Sequence, residues 1–442
     1  MWGHGDRPPT QPHLRECPGC GLLQTVPALA PGTSAQCARC PTILHRATRH
    51  PLDHSLALTV AALVLLLIMC TTTLMSVQKA GIMHAAGLFS GPEELVRRGM
   101  PSLAVVVVFV TVIAPFGKLL GELYVLLRMR EARPPRHLRR VFVLAEKLRP
   151  WSMIEVFVFG VFVAYVKLGG VVQIGLDAGV FALLALTFVI IWADSAFDRQ
   201  AVWDRLDRRG TTASAAAAVF VSPHHLSRGA IGCETCDLVS VPAPDDPHCP
   251  RCDAVLHARK PNSITRTWAL VIAAAVLYVP ANLFPVLTVM QLGAGQPSTI
   301  LGGVRELVES GLYPLAALVF FASIAVPMMK LVGLTIMLVA TQTGRSGWLR
   351  DRTRLYYAVR WVGRWSMIDI FMEALLGALV RFGSVVTIEP GIGAVAFCGV
   401  VILTIFAAET FDPRLMWDTA AQRLAAHGEP ARHVALSLQA GD

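Results

Sequence analysis

The chain has 442 residues, 54% of them apolar and only 16% charged, with a formal net charge of +9. Its mean hydropathy is +0.55, whereas an ordinary soluble domain is about a quarter charged. A string of soluble domains and a disordered chain are both excluded. The composition indicates an integral membrane protein, and basic residues that are not clustered among aromatics exclude nucleic-acid binding.

Residues 1–50 are polar, Pro-rich and Cys-bearing, with no apolar core of a signal peptide, so the first span is expected to direct insertion. A bilayer-spanning helix needs roughly 20 apolar residues. Eight such segments are predicted: 55–77, 101–127, 151–168, 176–194, 267–290, 312–340, 365–381 and 390–410. The third and seventh are short and open on Trp151 and Trp365, as interfacial anchors do.

Lys and Arg are unevenly placed between the spans. The N-terminal segment, the second-to-third loop, residues 195–266, the sixth-to-seventh loop and the tail together hold 31, against 6 on the other side. The positive-inside rule then puts both termini and the central segment in the cytoplasm. Residues 78–100 and 291–311 are expected to form the opposite, periplasmic surface.

Self-comparison at an offset of about 212 reveals a duplication. Pro115 and Lys118 match Pro327 and Lys330, and Trp151-Ser-Met-Ile-Glu155 matches Trp365-Ser-Met-Ile-Asp369. Phe197 and Trp203 match Phe411 and Trp417. The fold class expected is all-α and polytopic, with two tandem four-helix transmembrane bundles, each preceded by a small cytoplasmic zinc ribbon of four cysteines. An even number of spans per copy makes the repeat parallel. The domains predicted are 1–54, a first ribbon; 55–200, a first bundle; 201–262, linker and second ribbon; 263–420, a second bundle; and 421–442, a tail.

Eight of the ten cysteines form two sets, Cys17, Cys20, Cys37 and Cys40, then Cys233, Cys236, Cys249 and Cys252. A C-x2-C turn holds two thiolates on one side, and two turns complete a tetrahedral site, so two structural Zn²⁺ ions are expected. Gly21 suits the first knuckle. The competing reading, a redox CxxC pair, needs a thioredoxin-like setting that nothing nearby supplies. Each module is too small for an unaided core, so metal is expected to fold it. His45 and His257 read as juxtamembrane polar residues, and Cys70 and Cys398 as apolar fillers.

Charges at membrane depth face an interior and a partner. Lys118 and Lys330 correspond between copies, as do Glu155 and Asp369. The simplest pairing is Lys118 with Glu155 and Lys330 with Asp369. Pro115 and Pro327 are expected to kink their helices. Glu122 lies one turn from Lys118, whereas in the second copy Leu334 takes that place and Glu373 adds a carboxylate one turn from Asp369. The second copy therefore has the richer polar relay: Ser323, Lys330, Ser366, Asp369 and Thr404. The plainer reading is a structural ion pair joining two helices. In the fifth span Pro280, Asn282 and Pro285 predict a break that lines a cavity or packs on protein. The first copy has Cys70-Thr-Thr-Thr73 there, which makes the second copy the working half. No P-loop, G-x-S-x-G or H-E-x-x-H motif occurs, so an enzyme is not expected.

The paired CxxC modules ahead of four spans, with the P-x-x-K-L, P-A-N-x-x-P and W-S-M-I-[DE] stretches, resemble the paraquat-inducible protein A family. The resemblance covers roughly residues 15–420. It implies a bacterial inner-membrane protein that handles phospholipid beneath a periplasm-spanning MCE-domain tunnel protein, a homo-oligomer. The function expected is a lipid-transport subunit that loads or unloads phospholipid, proton-coupled through Lys330 and Asp369. The alternatives are a non-transporting anchor for the tunnel and a CxxC redox protein.

Overall fold

The computed structural model describes residues 13–27, 29–47, 53–79, 82–131, 135, 137–169, 173–208, 229–242, 246–291, 294–379 and 386–426. Arg381, the 209–228 part of the linker and the tail beyond 426 lie outside these.

The first repeat opens with two short hairpins, β1 (His13–Glu16) with β2 (Leu23–Val26) and β3 (Ser34–Gln36) with β4 (Ile43–Arg46), which carry the first four cysteines. Helix α1 (Asp53–Thr71) follows, then β5 (Thr73–Lys79), β6 (Ile82–Gly87) and α2 (Ser90–Arg97). The long helix α3 (Pro101–Arg128) leads to α4 (Leu138–Leu148), α5 (Ile154–Gly169), β7 (Gln173–Leu176), α6 (Ala178–Ala196) and α7 (Arg199–Arg208).

The second repeat runs in the same order. Strands β8 (Ile231–Gly232) and β9 (Val239–Ser240) carry the second cysteine set, followed by α8 (Ser263–Leu283), β10 (Leu287–Gln291), β11 (Ala294–Ser298) and α9 (Ile300–Glu309). Then come α10 (Tyr313–Gln342), α11 (Leu349–Val362), α12 (Ile368–Leu379), β12 (Val386–Pro390), α13 (Ile392–Thr410) and α14 (Arg414–Ala426).

Among the described residues, seven helices are long and apolar enough to cross a membrane. Large side chains on α1, α6 and α8 point outward, among them Leu67, Phe188, Trp192, Val276 and Leu283, each more than 60% exposed. An exposed apolar band of this kind suits lipid and not water. The first span is shorter than predicted. It stops at Thr71, and the chain turns into β5, whose Leu74, Met75 and Val77 are fully buried. The fifth span likewise stops at Leu283 and turns into β10. Each repeat thus ends its helices on a three-stranded antiparallel sheet, β6-β5-β7 and β11-β10-β12, on the side away from the cysteine modules.

Both prolines follow a local irregularity in their helices. Both α3 and α10 contain one wide turn, Phe109–Ile113 and Phe321–Ala325, ending just before Pro115 and Pro327. A π-turn inserts one residue into the helix and relieves the clash of a ring that lacks an N–H. The same device at corresponding places is a structural echo of the duplication.

The predicted seventh span is the main departure. Its helix α12 is described over 12 residues, Ile368–Leu379, and all of them but Ala378 are buried. It packs on α5 and α2 of the first repeat. The Phe157 and Phe371 rings meet edge to face at 5.4 Å, and one apolar core runs through both repeats. The two repeats interlock at this helix. Gly160 makes the join possible, because a Cβ there would sit 2.7 Å from Phe371 Cβ. Overpacking of this kind costs about 1–3 kcal/mol. We expect Gly160→Val to lower the melting temperature of the purified protein, with Gly87→Ala, where a Cβ meets ordinary contacts, as the mild comparison.

Candidate metal centres and buried polar site

Each cysteine set forms a closed cluster. All four sulfurs of a set lie within 4.8 Å of one another, and all eight cysteines are buried. The nearest contacts join the two knuckles: Cys17–Cys40 at 3.4 Å and Cys20–Cys37 at 3.6 Å, repeated as Cys233–Cys252 at 3.4 Å and Cys236–Cys249 at 3.6 Å. A tetrahedron with metal–sulfur bonds of about 2.3 Å has edges near ~3.8 Å, so the donor set fits a divalent metal. Four convergent sulfurs are not the isolated pair that thiol–disulfide chemistry uses. The knuckle turns explain the residues after the second cysteine. Gly21, Asp237 and Asp253 have φ of +72°, +58° and +64°, and their N–H groups donate back to the Cys17, Cys233 and Cys249 carbonyls.

The modules are crossed between repeats. The first cysteine cluster shares an apolar core with Leu349, Tyr356 and Trp417 of the second repeat. The Arg39 guanidinium lies 4.6 Å above the Trp417 ring. The second cluster packs with Phe142, Trp203 and Leu206 of the first repeat. Glu16 of β1 stands where the modules meet. It accepts from Gly232 N at 2.8 Å, Arg259 Nη1 at 2.9 Å and Arg414 Nη1 at 3.1 Å, with its side chain only 8% exposed. Arg414 also grips Asp412 and Glu234. Burial alone would raise the Asp412 carboxyl, but the Arg414 guanidinium outweighs it and holds the group below the usual carboxylate range. A depressed carboxyl stabilises the fold above its unfolded value, and that stabilisation is lost as pH falls through the folded value.

The intramembrane pairs differ from those expected. Lys118 Nζ meets Asp194 Oδ1 at 2.5 Å, not Glu155. Asp194 sits in the last turn of α6, beside Arg149 at 3.6 Å. Glu155 instead reaches Arg364 of the second repeat at 3.1 Å. Glu122 is buried one turn from Lys118. Lys330 does not pair with Asp369; its Nζ donates to Thr404 Oγ1 at 2.9 Å and to the Gly363 carbonyl at 3.3 Å. Its two acceptors are neutral, so the copies solve the same buried cation differently.

Asp369 opens α12, and Glu373 lies one turn further on the same helix, both nearly fully buried. Asp369 Oδ1 and Ser366 Oγ are buried with no hydrogen-bond partner among the described residues. Ser323, whose Oγ donates to the Val319 carbonyl at 2.7 Å, is close enough to act on the Asp369 carboxylate. Sequence reasoning missed Asp194 and Arg364 as partners. Asp194 carried a signal, a carboxylate near the end of a span whose counterpart is Ala408. Arg364 acts across the repeats, which no spacing encodes.

The helix break is less abrupt than expected. Pro280 and Asn282 remain inside α8, where Asn282 Nδ2 donates to the Tyr278 carbonyl at 2.9 Å. Pro280 lies in the last turn, so the ladder bond its missing N–H removes is lost only where the helix is about to end. The chain leaves the helix at Phe284–Pro285, and the Pro285 carbonyl accepts from Gly393 N at 3.1 Å. A Cβ on Gly391 would lie 2.1 Å from that carbonyl oxygen, so the break packs on α13. In the first repeat Gly179 approaches the Thr73 carbonyl in the same way. The break is a shared corner between helix and sheet, not a feature of one copy.

These features define a multi-pass membrane protein built from an internal duplication, with two four-cysteine clusters able to hold metal. The family model of Paraquat-inducible protein A matches residues 52–207 and again 264–421, and the chain belongs to that family. It is 34% identical to Intermembrane transport protein PqiA of Escherichia coli (strain K12) over 405 residues, covering 91% of this chain and 95% of that one. It is 29% identical to Lipophilic envelope-spanning tunnel protein A of the same organism over 406 residues, 91% of each. Against a Probable intermembrane transport protein of Haemophilus influenzae the identity is 27% over 412 residues, 91% of this chain and 95% of the relative. No solved structure matches the chain.

Two outcomes follow from this geometry. Metal analysis of the purified protein should find two ions per chain, reduced by one in Cys20→Ser and by one in Cys236→Ser; a full complement in either variant would sink the corresponding centre. Removing one member of a buried ion pair costs about 3–5 kcal/mol. Asp412→Asn should therefore lower the melting temperature at neutral pH, and the gap from the parent protein should narrow in acid as the parent's own Asp412 is protonated.

Proposed function

We propose that the protein is an inner-membrane subunit of a phospholipid-transport system, without enzymatic activity, working with a periplasm-spanning MCE-domain tunnel protein. The relatives named as intermembrane transport proteins and as an envelope-spanning tunnel protein support the transport class. The excess of Lys and Arg beside the cysteine modules supports an orientation with both modules and both termini in the cytoplasm. In this reading both centres hold zinc, which closes each ribbon.

The observation that carries the mechanism is the pair of orphaned polar atoms, Asp369 Oδ1 and Ser366 Oγ, inside the protein. An unsatisfied buried group costs about 1–3 kcal/mol, a cost that a site keeps when a proton or ligand group is to be received there. Asp369 takes and releases the proton, Ser323 and Ser366 lie along its path, and Glu373 sets the local field. Lys330, held by Thr404, is a second station reached when α10 and α12 shift. Lys118 closes the first repeat on Asp194, and Glu155 braces that repeat against Arg364 of the second. The anchor reading draws support from the crossed ribbons, which would seat a tunnel protein without moving lipid.

The deciding experiment is complementation of a barrier-sensitised deletion strain with Asp369→Asn, scored beside membrane protein level and tunnel-protein co-purification. We expect barrier function to be lost while level and partner binding persist. Retained function would remove Asp369 from the mechanism and put the anchor reading first.

A further inference from the structure

A second polar feature lies on the ribbon side, where α10 ends. The tight loop Gly344–Trp348 and α14 line an open surface cavity of about 480 Å³. Arg345, Arg352 and Arg423 line it, with Gly344, Gly347 and Trp348, and no carboxylate is among the lining residues. Arg352 Nη1 donates to the Arg345 carbonyl at 2.8 Å, and Arg423 donates to the Thr343 carbonyl. Both contacts are to neutral main chain, so neither positive charge is cancelled. The nearby Asp351 is already engaged by Arg354 at 3.0 Å. Burial and the Arg345 charge together hold the Arg352 guanidinium below its usual range, as expected of cations gathered without an anion.

The loop is built for this closeness. Gly344 has a φ of +59°, and a Cβ there would press on Arg423 Cδ at 3.3 Å. Trp348 takes a φ of +60°, unusual for a bulky side chain, and is 74% exposed at the rim. An exposed tryptophan just beyond the end of a membrane helix sits at headgroup depth. Arginine forks match phosphate oxygens in geometry and charge.

We propose that this cavity binds a phosphate group, that of an anionic phospholipid in the ribbon-side leaflet. The site does not rest on the transport reading, since Asp369, Ser366 and Lys330 take no part in it. Its neighbours at the end of α10 and the start of α11 would hold the lipid at the rim of the second repeat.

The test uses the full-length protein in phosphatidylcholine nanodiscs titrated with phosphatidylglycerol, then challenged with inorganic phosphate. The wild type should take up phosphatidylglycerol in preference to phosphatidylcholine. A charged hydrogen bond contributes about 1.5–3 kcal/mol, so Arg345→Gln/Arg352→Gln should weaken that uptake by about tenfold or more. Gly347→Glu serves if the double variant does not fold, because a Cβ at Gly347 meets nothing within 4 Å and the carboxylate reverses the local charge. Weak competition by inorganic phosphate supports the lipid. Full displacement by inorganic phosphate overturns the lipid assignment and leaves a free-phosphate site. Unchanged preference in a variant with normal melting and metal content overturns the site altogether.

Discussion

A helix of 12 residues rises only about 18 Å, far less than the roughly 30 Å of a bilayer core. The described part of helix α12 is that long, and nearly all of its side chains are enclosed by protein. Its neighbours α5 and α2 come from the other repeat, and Phe157 and Gly160 form the seat for Phe371. The rest of the architecture depends on this burial. The 3-10 segment Gly363–Met367 leads into α12 and brings the Gly363 carbonyl to Lys330. It also places Asp369 inside protein, out of reach of lipid. The same embedding sets the helix that carries Asp369 and Glu373 against α5 of the first repeat. A polar site thus belongs to the pair of repeats, although its residues come almost entirely from one.

The cysteine modules apply the same logic outside the membrane. A module of about forty residues cannot bury enough surface to be stable alone. Each gains a second wall by leaning on the repeat it does not precede: the first on Tyr356 and Trp417, the second on Phe142 and Trp203. Phe197 and Trp203 match Phe411 and Trp417 in the duplication, so one docking surface was copied and then exchanged between partners. Glu16, Arg259 and Arg414 close the seam between the modules with charges that are shielded from solvent. Loss of either metal would therefore loosen both the seam and the opposite repeat.

Much of this was legible in the sequence. Hydropathy located the spans because a bilayer demands apolar length, and spacing located both metal sites because four thiolates and two tight turns leave little freedom. The duplication appeared in matched Pro, Lys and Trp positions. The ends of α1 and α8 were misjudged because Thr73 to Val77 and Leu287 to Met290 are as apolar as membrane helix, and only strand pairing distinguishes them. The ion pairs were misassigned for a different reason. Adjacent helices were assumed to be partners, whereas Asp194 comes from the fourth span and Arg364 from the other copy. Sequence periodicity reports which face is buried, not which helix covers it.

The divergence between the copies acquires a physical meaning from these contacts. In the first, Lys118 is neutralised by Asp194, with Arg149, Glu146 and Arg199 continuing the chain of charges toward the ribbon side. Such a network is locally compensated and resists change. In the second, the corresponding cation rests on Thr404 and a carbonyl, and a carboxylate nearby retains an oxygen with no partner among the described residues. At matched positions Ala408 stands for Asp194, Thr404 for Ile190 and Glu373 for Phe159, and these three differences account for the contrast. Both copies keep the buried lysine, the π-turn and the helix-to-sheet corner, so the frame is common. One copy has closed its charges into a brace, and the other keeps a buried carboxylate oxygen and a serine hydroxyl with no partner among the described residues.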